Sequence, residues 1–156
     1  MPERKTLERA RRDAREGKAP STQAGEFVRE EMEHIRRGKH GARSTKQAIA
    51  IGLSKARRAG VKLRPPRKGT VSEKTRKDAE SAYRKGQRGE RVSPRRSRAR
   101  EKALKREGRS AASRIALSRQ ARASARRRGT RARSAAAHKA AMTRSQRLRR
   151  MSRARR

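Results

Sequence analysis

The chain has 156 residues, of which 51 are Lys or Arg and 14 are Asp or Glu, for a formal net charge of +37. It has no Cys, no Trp, one Phe and one Tyr. That composition excludes disulfides, thiolate chemistry and Cys-ligated zinc, and it leaves out the aromatic platforms on which single-strand binders stack bases. Leu, Ile, Val and Phe together number fifteen, under the roughly 20% at which a high net charge predicts disorder. Apolar burial on that scale does not offset an ordering cost of about 1–2 kcal/mol per residue. The expected fold is therefore mainly α, with short helices joined by flexible linkers and a marginal helical hairpin at about residues 22–60. The rest is expected to be largely extended or disordered, with no single globular core.

Charge divides the chain into four segments. Net charge is +3 over residues 1–20, +5 over 21–60, +7 over 61–93 and +22 over 94–156. The expected organisation is an exposed charged helix (1–20), an amphipathic helical hairpin (21–63), a Pro/Gly linker with a polar helix (64–92) and an Arg/Ala/Ser-rich polycationic tail (93–156).

Residues 2–17 read as a solvated helix. Arg4/Glu8, Glu8/Arg12, Arg9/Asp13 and Arg12/Glu16 are opposite charges at i,i+4, each worth about 0.2–0.5 kcal/mol. Leu7 is the only large apolar residue among them, so no packing partner is expected. Gly17 and Pro20 end the helix. Ser21 or Thr22 caps a second helix to about Arg37, in which Val28, Met32 and Ile35 share one face with Phe27 beside it. Glu26, Glu30, Glu31 and Glu33 make the only dense acidic cluster of the chain. Ser44 or Thr45 caps a third helix to Ala59, with Gly60 as the stop. Across a Gly-rich turn, Phe27, Val28, Met32 and Ile35 are expected to pack against Ile49, Leu53, Ala56 and Val61. A hairpin of that size is marginal alone, which points to a weak homodimer or to a nucleic acid as its support.

The run Ser-Thr-Lys-Gln-Ala-Ile-Ala-Ile-Gly-Leu-Ser-Lys-Ala-Arg-Arg-Ala-Gly over residues 44–60 resembles the core motif of a family of short, basic, functionally uncharacterised bacterial and phage proteins. The fragment Arg-Ser-Ala-Ala-Ala-His-Lys-Ala-Ala-Met-Thr-Arg at 133–144 is similar to the Ala-rich basic ends common in such proteins. The resemblance implies a bacterial or phage source and no known catalytic activity. Gly52 stands where Ala is expected, which weakens the helix by about 1 kcal/mol.

Residues 62–69, with Pro65 and Pro66, read as an extended linker. Ser72 caps a polar helix to about Lys85, and residues 86–92 read as a second loose joint. The tail opens with Ser93-Pro94-Arg95-Arg96, which resembles the Ser-Pro-basic-basic units of linker histones that lie in the minor groove. The same residues also read as a helix N-cap with Pro at the first helical position. No acid follows Glu107, and Gly108 and Gly129 divide the tail into three helix-prone blocks.

Enzyme signals are missing from this pattern. His34, His40 and His138 lack the spacing of a metal motif, Glu30 and His34 read as a surface pair at i,i+4, and no Gly-rich phosphate loop occurs. No catalytic, cofactor-binding or metal-binding residue is assigned, and no small-molecule substrate is expected. The longest apolar run, residues 48–53, is too short for a membrane span, so a soluble, cytoplasmic, nucleoid-associated protein is expected. What the tail does offer is phosphate contact. The expected contacts are Arg95, Arg96, Arg98, Arg100, Arg114, Arg119, Arg122, Arg126, Arg127, Arg128, Arg131, Arg133, Lys139, Arg144, Arg147, Arg149, Arg150 and Arg153. The expected function is sequence-nonspecific DNA binding of a histone-like kind, with the free tail disordered and folding on the phosphates. RNA binding, or ribosome association, is the first alternative. The second is a non-enzymatic adaptor that docks a partner helix on the face from Phe27 to Ile35.

Overall fold

The computed structural model describes residues 2–90 and 92–153, the side chains of residues 147, 150, 151 and 153 excepted. It contains helices α1 (Arg4–Arg15), α2 (Pro20–Arg36), α3 (Thr45–Arg58), α4 (Glu73–Gln87), α5 (Pro94–Lys105) and α6 (Arg114–Arg153), with a 3-10 turn at Ser110–Ala112. No strand occurs among the described residues. The chain divides into two compact units, Met1–Leu117 and Ser118–Arg156. The first takes in residues 93–117, which the sequence reading assigned to the tail.

Local sequence explains the helix ends. Pro20 takes the first helical position of α2, one or two residues ahead of the expected Ser21 or Thr22 cap, where its missing N–H costs nothing. Ser44 Oγ accepts the Gln47 N–H at 3.2 Å to open α3, and Ser72 Oγ accepts the Thr75 N–H at 3.2 Å to open α4. Pro94 opens α5 in the same position as Pro20 in α2. At the end of α2 the chain turns through Gly38 (φ 74°). The Gly38 N–H bonds the Ile35 carbonyl (3.1 Å) and the Lys39 N–H bonds the His34 carbonyl (3.0 Å), the paired closure that needs a left-handed residue. The same two bonds recur after α1, α3 and α4.

The expectation of disorder without a core is overturned by this packing. α2 and α3 form the central pair, α1 lies against α2, and α4 lies against α3. One cluster joins Met32, Ile35, Ala42 and Ala48 to Ala111 and Ala112 of the 3-10 turn, with Val28, Ile49 and Leu117 at its edge. The other joins Ala24, Phe27 and Ala56 to Ala10 of α1 and to Val61, with Leu7, Leu53 and Leu63 at its edge. All eight hairpin residues named from the sequence are thus in or against a cluster. Their support comes from α1 and the 3-10 turn of the same chain, so neither a second copy nor a nucleic acid is needed to cover them. Leu7 is likewise packed, and Thr6, Ala10 and Asp13 beside it are buried; α1 is not a free helix.

The physical reason is that the core is made chiefly of alanine. Nine of the fourteen buried apolar side chains among the described residues are Ala. Counting only large aliphatics therefore missed most of the buried contacts. Small side chains let helix backbones approach closely, so contact area is gained by proximity. Gly52 shows this directly: a Cβ there would lie 2.7 Å from Val28 Cα. It is the crossing point of α2 and α3, and Ala would not fit. Gly86 serves α4 in the same way, since a Cβ would overlap the Arg57 carbonyl oxygen.

The linker after α3 is held down as well. Arg57 is buried, and its guanidinium donates from Nε to the Leu63 carbonyl (3.2 Å) and from Nη2 to the Arg64 carbonyl (3.5 Å). Burial lowers its pKa from the ordinary arginine value. The end of α5 is tied in by the Gly41 N–H on the Leu104 carbonyl (2.9 Å) and the Ala42 N–H on the Gly108 carbonyl (3.0 Å).

α6 corrects the expectation of a disordered tail. It is helical from Arg114 to Arg153 except at Gly129 (φ 73°, ψ 169°), where the axis kinks. Ala and Arg stand near the top of the helix-propensity scale, while each like-charge pair at i,i+4 costs only tenths of a kcal/mol.

Candidate nucleic-acid interface

Basic side chains are presented on α5 and α6. On α5, Arg95, Arg96, Arg98 and Arg100 are exposed. On α6, Arg114, Arg119, Arg122, Arg126, Arg127, Arg128, Arg131, Arg133, Lys139, Arg144 and Arg149 are exposed. The side chains of Arg147, Arg150 and Arg153 lie outside the described residues. Past Glu90, the only ion pair among the described residues is Lys105 to Glu101 at 3.1 Å. The Lys105 hydrogen bond and charge hold the Glu101 carboxyl below the usual range.

The guanidiniums of α6 that do bond are bonded along their own helix. Arg127 Nη2 reaches Ser124 Oγ (3.4 Å), Arg133 Nε the Gly129 carbonyl (3.3 Å) and Arg144 Nε the Ala140 carbonyl (3.3 Å). Arg119, Arg122 and Arg126 share one side by their i, i+3, i+7 spacing, whereas Arg126, Arg127 and Arg128 fan around the axis. The kink at Gly129 leaves segments about 22 Å and about 36 Å long at 1.5 Å per residue. Such a surface offers cations in a row and, among the described residues, no aromatic or amide array of the kind that reads bases.

Three guanidiniums also gather where α6 begins. Arg36, Arg109, Ala112, Ser113 and Arg114 line an open cleft of about 440 Å³. Arg36 Nε donates to the Ala112 carbonyl at 3.0 Å, and Ser113 Oγ accepts the Ala116 N–H at 3.2 Å. The positive end of a helix dipole adds to the three charges there. Of these residues only Arg114 is among the phosphate contacts expected from the sequence. Arg36 is brought in by the fold of the 3-10 turn onto α2, which no local pattern signals.

A second constellation lies on the polar side of α2. Glu30 and Glu31 are buried to 2% and 0% exposure, and His34 to 9%, so Glu30 and His34 are not the surface pair expected. Glu3 bonds His34 Nε2 at 2.8 Å and Lys39 Nζ at 2.8 Å. These bonds, Lys39 foremost, lower the Glu3 pKa to about 2. The Glu3 N–H donates to Glu30 Oε2 at 3.1 Å. Lys55 Nζ sits 2.6 Å from Glu31 Oε2 and 3.8 Å from Glu30 Oε1. Since Phe27, Met32 and Ile35 are buried within the chain, the face offered for a partner helix is already occupied.

Residues 15–68 match a family model described as a family of unknown function (DUF6496). That match spans α2, α3 and the linker after them, includes the stretch at 44–60 and stops short of α4, α5 and α6. No curated protein and no solved structure matches the chain. No helix among the described residues is long and apolar enough to cross a membrane.

Proposed function

We propose that the protein is a non-enzymatic, sequence-nonspecific DNA-binding protein of a nucleoid-associated kind, with α6 as its principal contact surface. The observation that carries this reading is the run of exposed basic side chains on α6 without an acid on the same helix. Guanidiniums crowded on a helix repel one another until a polyanion lies alongside. Arg forks suit phosphate oxygens in particular, being planar, bidentate and weakly hydrated. Because α6 is helical before any ligand arrives, binding on this reading docks a formed surface. That replaces the expectation of a tail that folds on contact.

The test is competition on the full-length protein between duplex DNA and a folded RNA of matched charge. DNA binding predicts retention on duplexes of unrelated sequence with similar affinity, and RNA chasing them off only in excess. Preference for the RNA at equal phosphate would instead assign the surface to RNA. Failure to bind either would remove the reading altogether.

A further inference from the structure

We propose that Glu31, His34 and His40 form a binding site for a divalent transition-metal cation of the zinc class. One ligand atom from each residue lies within 4.8 Å of the other two. His40 Nε2 and Glu31 Oε1 are already 3.5 Å apart, close to the spacing of about 3.3 Å that two ligands take up around tetrahedral zinc. Two His and one Glu, with water in the fourth position, is a ligand set that zinc accepts.

Two further observations favour a cation at this place. Neither carboxylate oxygen of Glu31 has a hydrogen-bond partner, although the residue is fully buried. Lys55 approaches Oε2 to 2.6 Å as an ion pair without the direction of a hydrogen bond. A buried carboxylate left in that condition is costly. Second, one nitrogen of each imidazole is engaged by an oxygen acceptor: His34 Nε2 by Glu3 (2.8 Å) and His40 Nδ1 by the Gly41 carbonyl (3.1 Å). With those nitrogens carrying the protons, one lone pair remains on each ring, the arrangement that outer partners impose on metal-binding histidines.

Lys55 is the competitor, and the structure gives it somewhere to go. Glu30 Oε1 is buried, lacks a hydrogen-bond partner and lies 3.8 Å from Lys55 Nζ. A cation taking Glu31 would shift the ammonium onto Glu30. His34 and His40 are largely covered but keep 11% and 9% side-chain exposure, so the site borders solvent. The sequence hid this site because its ligands are spaced Glu-x2-His-x5-His across the end of α2. Only the reversal at Gly38 returns His40 to the face that holds Glu31.

This inference stands apart from the nucleic-acid reading. Its test is titration of metal-free, full-length protein with Zn2+ alone by calorimetry, and with Co2+ alone by visible absorption. The expected result is one equivalent bound, with the intense bands of four-coordinate Co2+. His40→Gln and Glu31→Gln each weaken it by more than about 100-fold, and Glu3→Ala, which removes the acceptor on the outer nitrogen of His34, by about 10–100-fold. His138→Gln on α6 leaves it unchanged. Because Glu31→Gln also strips Lys55 of its partner and can unfold the chain, ring-nitrogen NMR of the unsubstituted protein gives an independent reading. Zn2+ should move the His34 and His40 signals and leave those of His138 in place. No stoichiometric uptake, equal uptake by His40→Gln, or signals of His34 and His40 that ignore Zn2+ would each overturn the proposal.

Discussion

The units Met1–Leu117 and Ser118–Arg156 hold their helices by different means. The first carries all fourteen acids of the chain, while the second has none among fifteen Lys or Arg. In the first, carboxylates are spent inside the unit: Glu26 on Arg9 (2.7 Å), Asp13 on Lys18 (2.7 Å), Glu31 on Lys55 (2.6 Å). Its helices touch through alanine and glycine. In the second, Met142 and Leu148 are exposed, and no apolar side chain is buried among the described residues. Helix propensity is what holds that segment. The first unit still holds 36 Lys or Arg against its fourteen acids, so its carboxylates answer only part of its cations, whereas in the second all fifteen cations stand without a carboxylate on the same unit.

The contrast breaks first at the close helix crossings. Gly86→Ala should destabilise the first unit by about 3 kcal/mol, the upper end for overpacking, because the new Cβ meets the backbone oxygen of Arg57 and not a flexible side-chain end. Gly52→Ala should cost about 1–2 kcal/mol, net of the roughly 1 kcal/mol that Ala gains in helix propensity, since Val28 Cα must move away. Both are read as loss of thermal stability by differential scanning calorimetry. A Gly52→Ala protein that melts higher would show that α2 and α3 are not in backbone contact.

A smaller effect is expected at Glu3. Its pKa is lowered from 4.5 to about 2 by Lys39 and His34. Its contribution is therefore complete above about pH 4.5 and disappears as pH falls through the folded value. Glu3→Gln should lower Tm at pH 6, and the gap should shrink steadily as pH falls from 4.5 toward 2. A gap between the two proteins that is constant with pH would deny the contact.

Smallest in stability is Arg126→Gln with Arg127→Gln and Arg128→Gln. It should leave the melting of the first unit within about 0.5 kcal/mol while making the salt slope of DNA binding shallower by about 3, near one per lost cation. Loss of stability with no change in slope would reverse the roles given to the two units.

How far this was readable from the sequence follows the same divide. Caps and stops are local chemistry, so Ser44, Ser72, Gly17 and Gly60 mark helix ends where the structure has them. The apolar face of α2 and α3 follows from spacing, and its eight residues are those that pack. What spacing does not show is closeness. Ala24, Ala48, Ala111 and Ala112 bury almost completely, yet each reads as a neutral helix former, and Gly52 reads as a defect until Val28 is set beside it. The polar cluster was out of reach for a related reason: Glu3 meets Glu30 and His34 across 27 and 31 residues, a pairing fixed only when α1 folds back on α2. For the basic helix, composition located the charge correctly and misjudged its order, because like-charge repulsion was weighed above the propensity of Ala and Arg.

The central claim is that the exposed cations of α6 bind nucleic acid by neutralising phosphates, and the salt dependence of duplex DNA binding by the full-length protein tests it most directly. With about eight duplex phosphates neutralised, log K should fall against log salt with a slope of about −7, and the slope should be the same for unrelated sequences. A slope near zero, or no complex with duplex DNA in dilute buffer, would contradict it.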